Sequence, residues 1–288
     1  MSNIRQIPRR RYSDDVELSL VGFGGMVVVG LEQEEANSIV AEAVERGINY
    51  FDVAPTYGDG EAEEKLGIAL QPYRDDVFLA CKTICRDSKG AREELERSLS
   101  RLKTDRFDLY QFHGVTVLDE VDTILALGGA METYAQARDD GQFEYLGFSA
   151  HSEAAAISLL DRVELDSALF PINATCFAQG DFGPRIIERA KERGVARLAL
   201  KAMASRAREK DTENPYPNCW YTPVHEPERA RLSLRFTLSE EITAAVPPGD
   251  IRLFRLAMDI ASEFEPLSVI ERQEFLVSTE GMTPIFQT

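Results

Sequence analysis

An α/β barrel of the (β/α)8 type is the fold that this 288-residue sequence predicts, and three observations carry it. Short apolar runs alternate with amphipathic segments, and successive runs start about 25 to 45 residues apart, the length of a strand, a helix and two loops. One early strand before Tyr50 and seven from there onward bring the count to that of a closed barrel. No linker or composition shift divides the chain, and α/β barrels of roughly 250 residues form one domain, so residues 1–288 read as a single barrel domain. A doubly wound sheet is the structural rival.

The elements follow in order. Ile7–Tyr12 and Val16–Val21 flank the turn-forming Ser13-Asp14-Asp15, which predicts an N-terminal β-hairpin over 7–21. Val16–Val21 runs into Gly22-Phe23-Gly24-Gly25, so it reads either as the hairpin's second strand or as the first barrel strand. Glu34–Arg46 has a helical apolar period and stops at Gly47, as a C-cap should. Strands are predicted at Tyr50–Phe51, Val77–Cys81, Phe107–Phe112, Tyr145–Phe148, Ala168–Ile172, Ala196–Leu200 and Thr243–Val246. A further helix, Arg185–Arg193, ends at Gly194. The widest gap between strands places a long loop and helix at 202–242 after the seventh strand. Its stretch from Asn214 to Pro223 is rich in Pro, Asn and aromatic residues and contains Trp220, the chain's single tryptophan. The tail, 276–288, contains Met282-Thr283-Pro284-Ile285-Phe286, apolar enough to dock on the barrel or else to fray.

Composition narrows the function classes. With 32 Lys+Arg against 49 Asp+Glu, the formal net charge is −17, which disfavours a nucleic-acid partner and an anionic membrane surface. The four cysteines, Cys81, Cys85, Cys176 and Cys219, show no C-x-x-C pair, and His113, His151 and His225 lie far apart, so no metal site is expected. Met1–Asp15 lacks an apolar signal core, and no apolar run approaches the ~18 residues of a membrane span, which predicts a soluble cytoplasmic protein. Oligomeric state is not legible.

Chemistry is legible at the strand ends. In a barrel, side chains at the C-terminal ends of the strands converge on one mouth. Three successive runs each lead into one ionisable residue: Asp52, Lys82 and His113. Tyr57 follows Asp52 by five residues in a turn-rich segment. One lysine after a strand is ordinarily a solvated loop residue; three such ends with a phenol nearby form a constellation. A phenol titrates near 10 and by itself is a weak acid at neutral pH, but a cation ~4 Å away favours phenolate by up to about 4 kcal/mol at an effective dielectric of 20. Lys82 would thus bring Tyr57 toward the operating pH, Asp52 would hold Lys82, and His113 would direct a substrate oxygen toward the phenol. Such a set protonates a carbonyl oxygen while another species attacks the carbon. No nucleophile or metal cluster accompanies it, so the attacking species is a hydride, which requires a nicotinamide cofactor. Yet no G-x-G-x-x-G is present, because the last position counted from Gly22 is Val27.

The ordered set Gly22-Phe23-Gly24-Gly25-Met26, Asn49-Tyr50-Phe51-Asp52 with Tyr57, Ala80-Cys81-Lys82-Thr83 and Gln111-Phe112-His113 resembles the aldo-keto reductases. The likeness runs from about Val16 to Asp259. It implies a (β/α)8 barrel that reduces a small-molecule aldehyde or ketone with NADP(H), favoured here, or NAD(H), and a catalytic tetrad of Asp52, Tyr57, Lys82 and His113 with Tyr57 as general acid. It also implies nucleotide contacts from Gly25, Met26, Asp52, Ser149, Asn173, Lys201, Gly249 and Arg255. The cofactor half departs from the family pattern: Ala150 follows Ser149 where Asn is usual, Leu169 stands for a Gln, and Leu200 stands where an aromatic ring often stacks. Asp250 beside Gly249 sets a carboxylate near the position of a 2′-phosphate, or caps the following helix. These departures leave room for a second reading, a nucleotide-binding barrel with a sensor or regulatory role. A Schiff-base aldolase on Lys82 or Lys201 is a third, which gives Tyr57 and His113 no better role.

Overall fold

Eight parallel strands form the barrel in the computed structural model, which describes residues 5–209 and 212–288. In spatial and chain order they are Phe23–Gly24, Tyr50–Asp52, Phe78–Thr83, Phe107–Val115, Phe143–Ala150, Ser167–Pro171, Ala196–Leu200 and Ala244–Val246. The ring closes where Gly22 N–H donates to Ala245 O and Ala245 N–H to Leu20 O, each at 2.9 Å. Helices lie between successive strands and pack on the outside.

Period-two alternation sorts the strand side chains. Tyr50, Phe78, Ala80, Leu109, Leu169, Leu198 and Ala244 pack together as the barrel interior, with Tyr12 and Leu18 beneath them. Their neighbours Phe51, Leu79, Cys81, Tyr110 and Phe112 join the helices in the larger outer core. The helix Pro184–Glu192 is typical of the outer ring. Pro184 starts it, Ile186, Ile187 and Ala190 form one buried face, and its charged residues lie outward. Burying each Ile is worth about 1.5–3 kcal/mol.

The ambiguous run Val16–Val21 supplies the hairpin's second strand, and the first barrel strand is the following Phe23–Gly24. Glu17–Ser19 pairs antiparallel with Arg9–Arg11, and Val21 then bridges to Ala245 at the barrel seam. The hairpin plugs the N-terminal end of the barrel: the Tyr12 ring lies 5.0 Å from Phe78 and 5.2 Å from Tyr145, both near the starts of their strands.

Two expectations are corrected. The 202–242 segment contains more than a loop and a helix: Ala204–Arg206 pairs antiparallel with Thr222–Pro223, ahead of the helix Pro227–Ser239. The tail begins later than 276, because Leu276 and Val277 complete a helix, Val269–Val277, whose start is marked by a Ser268–Glu271 capping box. Beyond it the chain docks rather than frays. Ala207 N–H donates to Thr283 O at 2.9 Å and Thr288 N–H to Gly180 O at 3.0 Å, while Ile285 and Phe286 pack on the core. The four cysteines are unpaired, and among the described residues no helix is long and apolar enough to cross a membrane. Nor does any group of His, Cys, Asp and Glu among them gather as a metal site would.

Candidate active site at the barrel mouth

Asp52 closes the second barrel strand, and its carboxylate is held from three directions. Lys82 Nζ bonds one oxygen, while Tyr50 Oη and Gln111 Nε2 donate to the other at 3.1 and 3.3 Å. Lys82 also donates to Val53 O at 3.1 Å and is fully buried. Tyr57 stands above it, with the ammonium 5.2 Å from the ring centroid. The turn that holds Tyr57 is built from consecutive left-handed residues, Gly58, Asp59 and Gly60, at φ 61°, 55° and 96°. At Gly60 the φ of 96° favours glycine, and its lack of a Cβ leaves room for the Arg101 guanidinium where the next helix, Glu61–Ala69, starts behind the phenol. His113 presents its ring edge-on to Tyr57 at 5.8 Å, and its Nδ1 is buried without a partner. Its backbone is steadied by Arg86, which donates to His113 O at 2.8 Å and is itself held by Glu120.

The protonation states follow from burial and neighbours. Burial works most strongly on Lys82, against its charge, but Asp52 and Tyr57 together outweigh it and raise the pKa. His113 is pushed well below its ordinary value by burial and then by Lys82, so its imidazole is neutral at pH 7. For Tyr57 the direction is opposite to the sequence expectation. Burial raises the phenol's pKa and exceeds the lowering effect of Lys82, which the sequence argument counted alone.

A cavity of about 260 Å³ opens at this mouth, walled by Gly24, Met26, Asp52, Tyr57, Leu200, Lys201, Asn218, Trp220, Tyr221, Val246, Pro247 and Gly249. Of the expected nucleotide contacts, Met26, Asp52, Lys201 and Gly249 are therefore together at its wall. Gly249 backs directly on Met26, where an added Cβ would come within 2.3 Å of the Met26 Cβ. Gly25 is buried in the adjoining turn against Val53. The others are committed elsewhere. Ser149 Oγ accepts from Gly114 N–H at 2.7 Å. Asn173 caps the helix Ala174–Gly180 through Cys176 N–H and donates to Lys201 O at 3.3 Å. Arg255 gives both Nε and Nη2 to Glu42, at 2.9 and 2.8 Å, and Asp250 caps its helix while bonding Arg252.

Sequence reasoning missed Tyr50, Gln111 and His151 as members of the site, whereas Asn218 and Trp220 lie in the loop it singled out and do line the cavity. Tyr50 and Gln111 lie two residues before Asp52 and His113, so strand alternation alone would have turned them to the same interior. Asn218 bridges the long loop to the first strand's turn by donating to Met26 O and Val29 O, both at 3.0 Å, and no local pattern marks it. His151 is a second imidazole at the mouth, stacked on Phe286 of the tail at 4.7 Å. Trp220, which the loop was free to bury, is 54% exposed and lines the cavity.

A (β/α)8 barrel with a phenol, ammonium, carboxylate and imidazole assembled at its C-terminal mouth is the class that this fold and site define. The model of the Aldo/keto reductase family matches residues 20–244, most of the chain, and the chain belongs to that family. Among curated proteins it is similar to the uncharacterized oxidoreductase YqkF of Bacillus subtilis, 37% identical over 154 residues that cover 49% of this chain and 48% of that one. It thus spans about half the length of the curated relatives it matches first. Among solved structures it resembles the holo form of aldo-keto reductase AKR11C1 from Bacillus halodurans, with a TM-score of 0.74, 24% identity, and 95% and 96% of the two chains covered. It also resembles an aldo-keto reductase from Klebsiella pneumoniae in complex with NADPH, with a TM-score of 0.75, 17% identity and 98% of each chain covered.

Proposed function

We propose that this chain reduces a small aldehyde or ketone to the alcohol, using NADP(H) or NAD(H) and Tyr57 as the general acid. The observation that carries the reading is the position of Tyr57, stacked over a buried Lys82–Asp52 pair and edge-on to a neutral His113 at the wall of an open cavity. The residues present fit a nicotinamide nucleotide. The cavity has glycines at 24 and 249, packed tightly against Val246 and Met26, and an ammonium at Lys201, while His113, edge-on to Tyr57 behind the wall, has a buried Nδ1 that lacks a partner.

Bound there, the nucleotide would supply the hydride. Tyr57 gives its hydroxyl proton to the carbonyl oxygen as negative charge develops on it. Lys82, kept charged by Asp52, stabilises the phenolate left behind. Tyr50 and Gln111 occupy the remaining oxygen of Asp52, so the carboxylate and the ammonium hold one geometry. Neutral His113 offers a hydrogen bond to the substrate oxygen without competing as an acid.

NADP(H) remains the favoured nucleotide by the family resemblance, and the chain's own residues state the cost. Arg255, which the resemblance assigns to a 2′-phosphate, is bonded to Glu42 and must be released from it to grip one. The test is consumption of reduced nicotinamide, with either nucleotide, across a panel of aldehydes and ketones. Absence of turnover with every carbonyl, together with absence of nucleotide binding, overturns the proposal.

A further inference from the structure

His113 sits at a fault in its own strand. The strand Phe107–Val115 pairs regularly with Phe143–Ala150 as far as Phe112–Phe148, and the next pair is Val115–Ala150, so the His113 side carries one residue more than its neighbour. On the other flank the last pair is Thr83–Phe112. Gly114 takes φ 61°, a left-handed value within this bulge. Such a bulge re-aims a side chain at the expense of ladder bonds. Here two side chains stand in for them: Arg86 Nη2 donates to His113 O at 2.8 Å, and Ser149 Oγ accepts from Gly114 N–H at 2.7 Å.

The imidazole has little else to fix it. Its Nδ1 is buried without a partner, whereas an oriented imidazole ordinarily gives one nitrogen to a carbonyl or carboxylate. Its direction is therefore set by its backbone, and that backbone is held by Arg86. The guanidinium is held in turn. Nε and Nη2 donate to Glu120 Oε1 at 3.0 and 2.9 Å. The other oxygen of Glu120 accepts from Thr116 N–H at 2.6 Å and Val117 N–H at 3.2 Å, at the start of the helix Leu118–Leu125. The Arg86 carbonyl accepts from Ala130 N–H at 2.8 Å. The loops around residues 86, 116 and 130 thus meet on one residue, whose side chain is 14% exposed. Yet its Nη1 is buried without a partner, a costly arrangement if joining loops were its whole role.

We propose that Arg86 is a positioning residue for the reduction: by holding the carbonyl of the bulge it aims the His113 imidazole at the substrate oxygen, and Glu120 holds Arg86 in place. The inference rests on the reductase reading and adds to it a residue that acts only through His113. The effect is large because a misplacement of about 1 Å at a reacting centre costs roughly a hundredfold in rate.

Arg86→Met, Arg86→Lys, His113→Ala and the Arg86→Met/His113→Ala double variant are compared with the unaltered chain, each checked by thermal melting. With para-nitrobenzaldehyde, Arg86→Met is expected to lower kcat by roughly ten- to a hundredfold while nucleotide affinity holds, and Arg86→Lys, which keeps a charged donor, recovers most of the loss. In the His113→Ala background the same substitution costs nothing further, because the group it positions is gone. Equal losses in both backgrounds, or a loss of nucleotide affinity that matches the loss of kcat, mark a structural role and overturn the proposal. A second readout needs no turnover. The His113 ring lies edge-on to Tyr57 at 5.8 Å, so the ring current of the phenol makes the imidazole proton shifts a measure of its direction. With three histidines in the chain, these shifts are assigned by substitution. They are expected to move in Arg86→Met and to return in Arg86→Lys; unchanged shifts overturn the inference. A chain that reduces no carbonyl overturns the reductase reading, and the shifts still decide this one. Should Arg86→Met not fold, Glu120→Gln, which removes the charge that holds the guanidinium, is read in the same way.

Discussion

The Lys82 ammonium lies 5.2 Å from the centroid of the Tyr57 ring, beneath it and fully buried. The phenol is thus the exposed end of a charged column that runs from Asp52 through Lys82 to the cavity. Removing its hydroxyl should stop proton delivery and leave the cavity shape unchanged. Tyr57→Phe is expected to lower kcat by roughly 10²–10⁴-fold, the usual weight of a general acid, while nucleotide affinity moves little. Steady-state kinetics beside a fluorescence titration checks this, and near-normal turnover would remove Tyr57 from the role.

Arg255 and Glu42 make a different kind of prediction. Their pair is partly exposed and contributes little stability, so Glu42→Gln should leave folding nearly intact. The freed guanidinium should then favour NADPH over NADH by several-fold. The ratio of the two dissociation constants, before and after substitution, is the measurement. An unchanged ratio would place the 2′-phosphate elsewhere.

Asn218 ties the Trp220 loop to the first strand's turn through two hydrogen bonds of 3.0 Å. At about 0.5–1.5 kcal/mol each, their loss in Asn218→Ala should loosen that side of the cavity and raise KM by roughly tenfold with a smaller change in kcat. Hydrogen exchange of residues 214–223 should quicken in parallel.

Acid should weaken the fold through the mouth. Burial, then Lys201, lowers the His151 pKa from 6.5 to about 4, and burial, then Lys82, lowers that of His113 well below 6.5. Between the unfolded and folded values the unfolded chain binds more protons, so stability rises with pH across that window and falls as pH drops from 6.5 toward 4. Denaturant midpoints measured over this range should decline, and His151→Asn should flatten the decline.

Phe286 stacks on His151 at 4.7 Å and meets Trp220 edge-on at 5.8 Å, so the tail roofs one side of the mouth. Phe286→Ala is expected to widen the range of aldehydes accepted, with bulkier ones gaining most in kcat/KM. A uniform loss across all sizes would instead indicate simple destabilisation.

Much of this protein was legible before its structure. The strand count follows from apolar runs spaced by helices, because local periodicity reports which face of each element is buried. Asp52, Lys82 and His113 were recognisable because each ends such a run, and a barrel sends strand ends to one mouth. Other properties are relations between segments distant in the chain, which no local pattern encodes. Glu42 meets Arg255 across 213 positions, Asn218 reaches Met26 across 192, and Phe286 lands on His151. The same holds for protonation. The sequence placed a cation near Tyr57, but burial, which depends on the whole fold, sets the direction of the phenol's shift.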